Sequence, residues 1–468
     1  MHNFHRWLAM LALVLLAGCD GDDHYYPGYQ GPPPGTYANL QVVNASYDAP
    51  PMDVLLDGAA LVQHLDYGQG TAELSIPLGS HTVTVQIETP GAPATVSTTT
   101  LSAAANMDYV LAVEGLIGST EPPALTTFVF PHQLAVVPPQ SAQIQVLNTT
   151  VNGTISVYVT APGADISTST PVGTAALMGA VGPTDVAAGA SEITITESAG
   201  SSSTVVYDSG PITLQGGTDL VLSLLQTTPP PPPYGTAGAV PAPALLMTAV
   251  DALGHVSSLP AVAGGTALRI VNDSPNLAAL TVTATSSANT TLPIATGLAY
   301  GTATAYINPP LGTYDFALAS AGNPSDTLAS QNIALIPGAF GTLYSFGPSP
   351  QIFPFITHDD VRRYSTQARV RFIQGSPTAS VVDVYLTPSG TGITGATPVY
   401  AALPFLSDTG FVSYAAGSYE LTVTSAGSKT PIIGPVALTA TNAGLYTAVA
   451  SDAPTGGAPL GLIELDDF

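Results

Sequence analysis

The sequence predicts an all-β protein of four tandem β-sandwich modules behind an export signal and a short tether. Three observations predict it. Runs of alternating Val, Ile, Thr and Tyr are bounded by Gly, Pro, Asn and Ser, the pattern of half-buried strands and their turns. One unit of this kind recurs four times along the chain. Gly (46) and Pro (43) are too abundant in the 468 residues for a mainly helical chain. Only 8% of residues are charged, yet mean hydropathy is +0.33, so the chain carries enough apolar surface to fold rather than stay disordered.

Taken in order, residues 1–18 read as a signal peptide: Arg6, then an apolar run from Trp7 to Leu16 that is too short to span a bilayer. The run ends in Leu16-Ala17-Gly18-Cys19, which resembles the lipobox of bacterial lipoproteins. That resemblance implies cleavage before Cys19 and a thioether-linked diacylglycerol on its thiol. Cys19 is the single cysteine, so no intramolecular disulfide can form and the modules must fold on burial alone. Residues 19–36, rich in Asp, Tyr, Pro and Gly, read as a lipidated tether. The expected location is the bacterial cell envelope, facing the periplasm or the cell surface.

The four units open with LQVVNASYDAPPMDVLLDG from Leu40, IQVLNTTVNGTISVYVTAPG from Ile144, LRIVNDSPNLAALTVTATSS from Leu268 and VRFIQGSPTASVVDVYLTPSG from Val370. Each is a strand, a turn and a second strand. The anchors Asn44, Asn148, Asn272 and Gln374 recur about every 100 to 125 residues. A hairpin and two further strands follow in each unit. That makes about seven strands per roughly 100 residues, the size and rhythm of an immunoglobulin-like sandwich. The expected modules are 37–139, 140–262, 263–364 and 365–468, with joints near 132–140, 252–264 and 359–367. The Pro-rich segment 227–242 reads as an enlarged loop inside the second module. On the first strands, Gln41, Gln145, Arg269 and Arg371 are expected to face solvent, and Val42, Val146, Ile270 and Phe372 the core.

The openings resemble the bacterial family called domain of unknown function 4397. The first unit carries Ser46-Tyr47-Asp48-Ala49-Pro50 and then Met52-Asp53-Val54. The fourth carries Ser376-Pro377 and then Val382-Asp383-Val384-Tyr385, while the third keeps Ser274-Pro275 and the second has neither element. The resemblance implies a β-sandwich in an exported protein and supplies no activity.

With 31 acidic and 7 basic residues the formal charge is −24, and Lys429 is the one lysine, which argues against nucleic-acid binding. The chain has no Gly-x-Ser-x-Gly elbow and no His-Glu-x-x-His. His24, His64, His81, His132, His255 and His358 are scattered singly and read as surface or loop residues. Gly427-Ser428-Lys429-Thr430 reads as a hairpin turn rather than a phosphate loop. Asp48, Asp53 and Asp383 read as turn aspartates that hydrogen-bond their own backbone, with calcium or ligand binding as the other reading. No catalytic residue, cofactor or metal site is assigned. Arg362, Arg363, Arg369 and Arg371 cluster at the third joint, where they either dock an acidic partner or pair with Asp359 and Asp360 to set the angle between modules. The expected function is therefore a lipid-anchored, non-catalytic envelope protein that touches the membrane through its anchor and presents loops to an envelope protein or glycan. A string of modules would suit multivalent contacts. Carbohydrate binding is the alternative, and a hydrolase the weakest reading.

Overall fold

The computed structural model describes residues 37–119, 124–133, 136–199, 202–227 and 245–466. Residues 1–36, with the expected signal peptide, Cys19 and the expected tether, and the Pro-rich segment beyond Thr227 lie outside them. The described chain is strand throughout, apart from turns, loops and one helical turn at Ile166–Thr168. No helix among the described residues is long and apolar enough to cross a membrane.

The first module sets the plan. Its strands are β1 (Tyr37–Ala45), β2 (Met52–Leu56), β3 (Ala59–Leu65), β4 (Leu74–Pro77), β5 (Gly79–Ile87), β6 (Ala94–Ala103), β7 (Met107–Glu114) and β8 (Thr126–Gln133). They form two four-stranded sheets, ordered β4-β1-β7-β8 and β3-β2-β5-β6. Leu40, Val42, Val54, Val83, Val85 and Leu111 fill the space between the sheets. Three more sheet pairs with the same connectivity follow, each around its own core. Ser141–Asn148, Ala267–Asp273 and Ala368–Gln374 are the equivalents of β1. Each lies parallel to the equivalent of β7. Leaving β1 aside, the other seven strands divide four and three between the sheets, as in an immunoglobulin-like sandwich, though in a different order. The modules thus hold eight or nine strands rather than about seven. The short β4 and its two-residue equivalent Thr302–Ala303 are too brief to show alternation. The second module adds Val256–Pro260 at its sheet edge. The Pro-rich segment joins two strands of that module, Asp219–Gln226 and Leu245–Asp251, which pair with each other.

The expectation that Gln41, Gln145, Arg269 and Arg371 face solvent is overturned. They are 6%, 1%, 4% and 1% exposed. Their alternation is as expected, with Val42, Val146, Ile270 and Phe372 in the four cores. The opposite face is covered by the next module. Val43, Val110 and Ala112 of the first module pack on Leu147, Val221 and Val250 of the second. Val271, Tyr344 and Phe346 of the third pack on Ile373, Val449, Ile463 and Leu465 of the fourth. At about 1.5–3 kcal/mol per buried large apolar side chain, each shared layer contributes on the order of 10 kcal/mol. That is ample to dock modules already tethered by a short connection. The chain is therefore two face-to-face pairs, not a string of independent beads.

Glycine permits the close approach in both pairs. A Cβ on Gly70 would stand 2.8 Å from a Val250 methyl, and one on Gly375 2.4 Å from the Phe346 ring.

Candidate functional site

The third joint gathers most of the cations of the molecule. It runs from His358, the last residue of one strand, into the next strand, Ala368–Gln374, which carries Arg369 and Arg371. Arg371 points out of its strand into the layer between the third and fourth modules, where its Nη1 donates to Asp359 Oδ1 at 2.8 Å. The Asp359 carboxylate also accepts from the hydroxyls of Thr342, Thr357 and Tyr306 at 2.5, 2.9 and 2.7 Å. Burial pushes the Asp359 carboxyl up, but the guanidinium of Arg371, then that of Arg269, and the Thr342 and Tyr306 hydroxyls together hold it below its usual range. Arg269 lies over the Tyr306 ring at 4.7 Å.

A second ion network flanks this one. Asp360 accepts from Arg362 at 3.0 Å and from Arg369 at 2.8 Å, and despite partial burial these two guanidinium groups hold it far below the ordinary carboxylate range. Arg362 also makes a paired contact with Asp66 of the first module, 2.9 and 3.1 Å. Ser365 N–H donates to the Asp48 carbonyl at 3.1 Å. Arg363 donates to the Ala443 carbonyl at 2.6 Å. All four joint arginines are thus turned into contacts within the chain, and the joint ties the third and fourth modules to the first. Lys429 sits in a hairpin turn, over the Tyr385 ring at 4.3 Å, and donates to the Ile393 carbonyl at 2.9 Å.

The repeated anchors have a shared structural task. Asn44, Asn148, Asn272 and Gln374 are all buried where the first strand turns. Each side-chain oxygen accepts a backbone N–H just ahead, from Ser46, Val151, Ser274 and Ser376. Each side-chain nitrogen donates to a backbone carbonyl, those of Leu65, Val151, Leu298 and Ser376. A turn carried into the interior has its polar groups satisfied this way.

The aspartates bind backbone too, though not locally. Asp48 accepts from Ile117 and Gly118 N–H at 2.8 and 2.9 Å. Asp383 accepts from Ala402 and Gly427, both at 2.8 Å. Asp383→Ala would leave two backbone donors without an acceptor, so a loss of about 2–4 kcal/mol is expected in urea unfolding. A loss below about 1 kcal/mol would contradict this role.

Asp53, the counterpart of Asp383, accepts from His64 N–H at 3.0 Å. His64 Nδ1 in turn meets Glu88. The donor atoms of Asp53, His64 and Glu88 lie within 4.8 Å of one another, and this group offers one imidazole and two carboxylates to a cation. Sequence spacing missed it because the three residues come from β2, from β3 and from the position just after β5. His64 and His255 are exposed, as is His358. His81 corrects the surface reading: it is 8% exposed, with Nδ1 on Asp57 at 2.7 Å and Nε2 on the Pro77 carbonyl at 2.9 Å.

Residues 38–158 and 266–385 match the family described as Domain of unknown function (DUF4397). The chain belongs to this family. Each DUF4397 match spans essentially the first sandwich of a pair, runs through the first strand of its partner, Ser141–Asn148 or Ala368–Gln374, and ends within the second, Thr154–Thr160 or Val381–Pro388. Among solved structures, the Bacillus anthracis TIE protein is 11% identical over 89% of this chain and 68% of that one, with a TM-score of 0.15. A tetra-tandem repeat from the extending region of a large adhesion protein is 9% identical over 91% of this chain and 98% of that one, with a TM-score of 0.10. Scores this low carry no argument about function. No curated protein matches the chain.

Proposed function

We propose that this DUF4397 protein is a lipid-anchored, non-catalytic scaffold of the cell envelope, whose tandem sandwiches present loops for binding or structural roles. The observation that carries the reading is the use of charge. The chain is poor in cations, and the arginines at the third joint are spent on holding modules to one another. Such a body keeps its shape, and loops on a rigid scaffold are the natural contact sites. Cys19 and the 17 residues between it and β1 supply the anchor and the leash. Acyl chains are worth about 0.8 kcal/mol per buried CH₂, so more than one chain holds such a body at the membrane.

The test is the intact mass of the protein from the membrane fraction of its host, for wild type and Cys19→Ala. The expected wild-type mass begins at Cys19 and carries acyl chains, and both the acylation and the membrane association are lost in the variant. An unmodified chain in the soluble fraction would overturn the anchor and leave a freely exported module protein.

A further inference from the structure

The four repeats provide an internal comparison, and one core position stands apart in it. Opposite the inward residues Val42, Val146 and Ile270 of the first strands stand Leu111, Leu222 and Leu343, each 0% exposed. Opposite Phe372 in the fourth module stands Ala448. The next strand repeats the contrast. The cross-strand partners of the three leucines are Val129, Ala249 and Ile356, and the partner of Ala448 is Glu464. An apolar pair in three modules is thus replaced by a small residue and a carboxylate in the fourth.

The fourth module contains a cavity at this place. It measures about 380 Å³ and opens between the strands Leu445–Ser451 and Gly461–Asp466 on one side and Gly417–Ser425 and Pro431–Ala440 on the other. Val370, Leu421, Val436, Leu438, Ala448 and Leu462 form apolar walls, and Glu464, itself exposed, also lines it. It is a half-open cleft that reaches solvent beside Glu464, rather than a sealed void in the core. Its size and apolar lining with a single charged side chain are those of a small-molecule site.

We infer that the fourth sandwich binds a small apolar amine, with its hydrocarbon or aromatic body between the sheets and its cationic head on Glu464. The carboxylate selects the head: an ammonium gains a charge-assisted hydrogen bond there, whereas an acid of the same length meets like charge. The chain's net charge of −24 favours the approach of a cation further. The other three modules fill the position with leucine and are not expected to bind.

The test is calorimetric titration of the full chain with hexylammonium, hexanol and hexanoate. Hexylammonium is expected to bind one site, at least tenfold tighter than hexanoate. Ala448→Leu restores the residue of the other modules and is expected to abolish binding of hexylammonium and hexanol while raising the thermal midpoint. Glu464→Gln, an exposed substitution that leaves the walls intact, is expected to keep hexanol binding and remove the preference for the amine. Three results would each overturn the inference: no binding of any probe, equal affinity for amine and acid, or amine binding that survives both substitutions, which would mark association with the acidic surface alone.

Discussion

Arg371→Met is expected to destabilise the third and fourth modules by about 3 kcal/mol or more, because removing one partner of a buried ion pair strands the other. Arg371 is 1% exposed and Asp359 8%. The remaining hydroxyl donors and the nearby Arg269 soften the loss, which places it at the lower end of the usual 3–5 kcal/mol range for such a change. Hydrogen exchange of the amides in Ala368–Gln374 reads this pair separately from the rest of the chain. An exchange free energy within about 1 kcal/mol of wild type would show that the pair is not what holds this interface. The same carboxylate gives the joint an acid limit. Its folded pKa lies below the unfolded value, so its contribution is present above about pH 4 and is lost as pH falls through the folded value.

Glu114 predicts the opposite pH dependence. This side chain is 0% exposed and neither of its carboxyl oxygens has a hydrogen-bond partner among the described residues. Loss of hydration pushes its pKa up to about 8. In the unfolded chain the group loses its proton near its ordinary value of 4.5. Between these two values the folded state holds a proton that the unfolded state has released, so stability falls as pH rises from about 4.5 to about 8. The full loss is on the order of 5 kcal/mol at 1.36 kcal/mol per pKa unit. Glu114→Gln is expected to remove most of this slope and to be the more stable protein at pH 8, in urea unfolding at pH 5, 6, 7 and 8. Parallel curves for the two proteins would rule the effect out. A slope of the same sign should remain in the variant, because burial, with the neighbouring Asp452 charge, also raises Asp273.

Glu114 also shows why part of this protein was legible in the sequence and part was not. It ends β7, in the place held by Leu225 and Phe346 in the second and third modules. From the sequence it is a polar residue closing a strand beside a glycine, an unremarkable surface position. The same holds for Gln41, Gln145, Arg269 and Arg371. Period-two alternation separates the two faces of a strand correctly, but it does not say what covers the outer face. The candidate sites divide in the same way. The arginine cluster was visible because its members are close in sequence, whereas Asp66, its partner in the first module, is 296 residues from Arg362. Asp53, His64 and Glu88 come together only through strand pairing, and the Ala448–Glu464 contrast emerges only once the registers align the four repeats.

By itself the sequence determined the all-β class, the repeated unit, the inward residues of each first strand and the membership in DUF4397, because alternation, turn residues and repeat spacing are local properties of the chain. Only the tertiary structure decided that the sandwiches dock in face-to-face pairs, that the joint arginines face inward, that Glu114 is fully buried and that an apolar cleft opens beside Ala448 and Glu464. Each of these depends on which surface meets which across tens to hundreds of residues, and burial and desolvation are set by that meeting rather than by the neighbours in sequence.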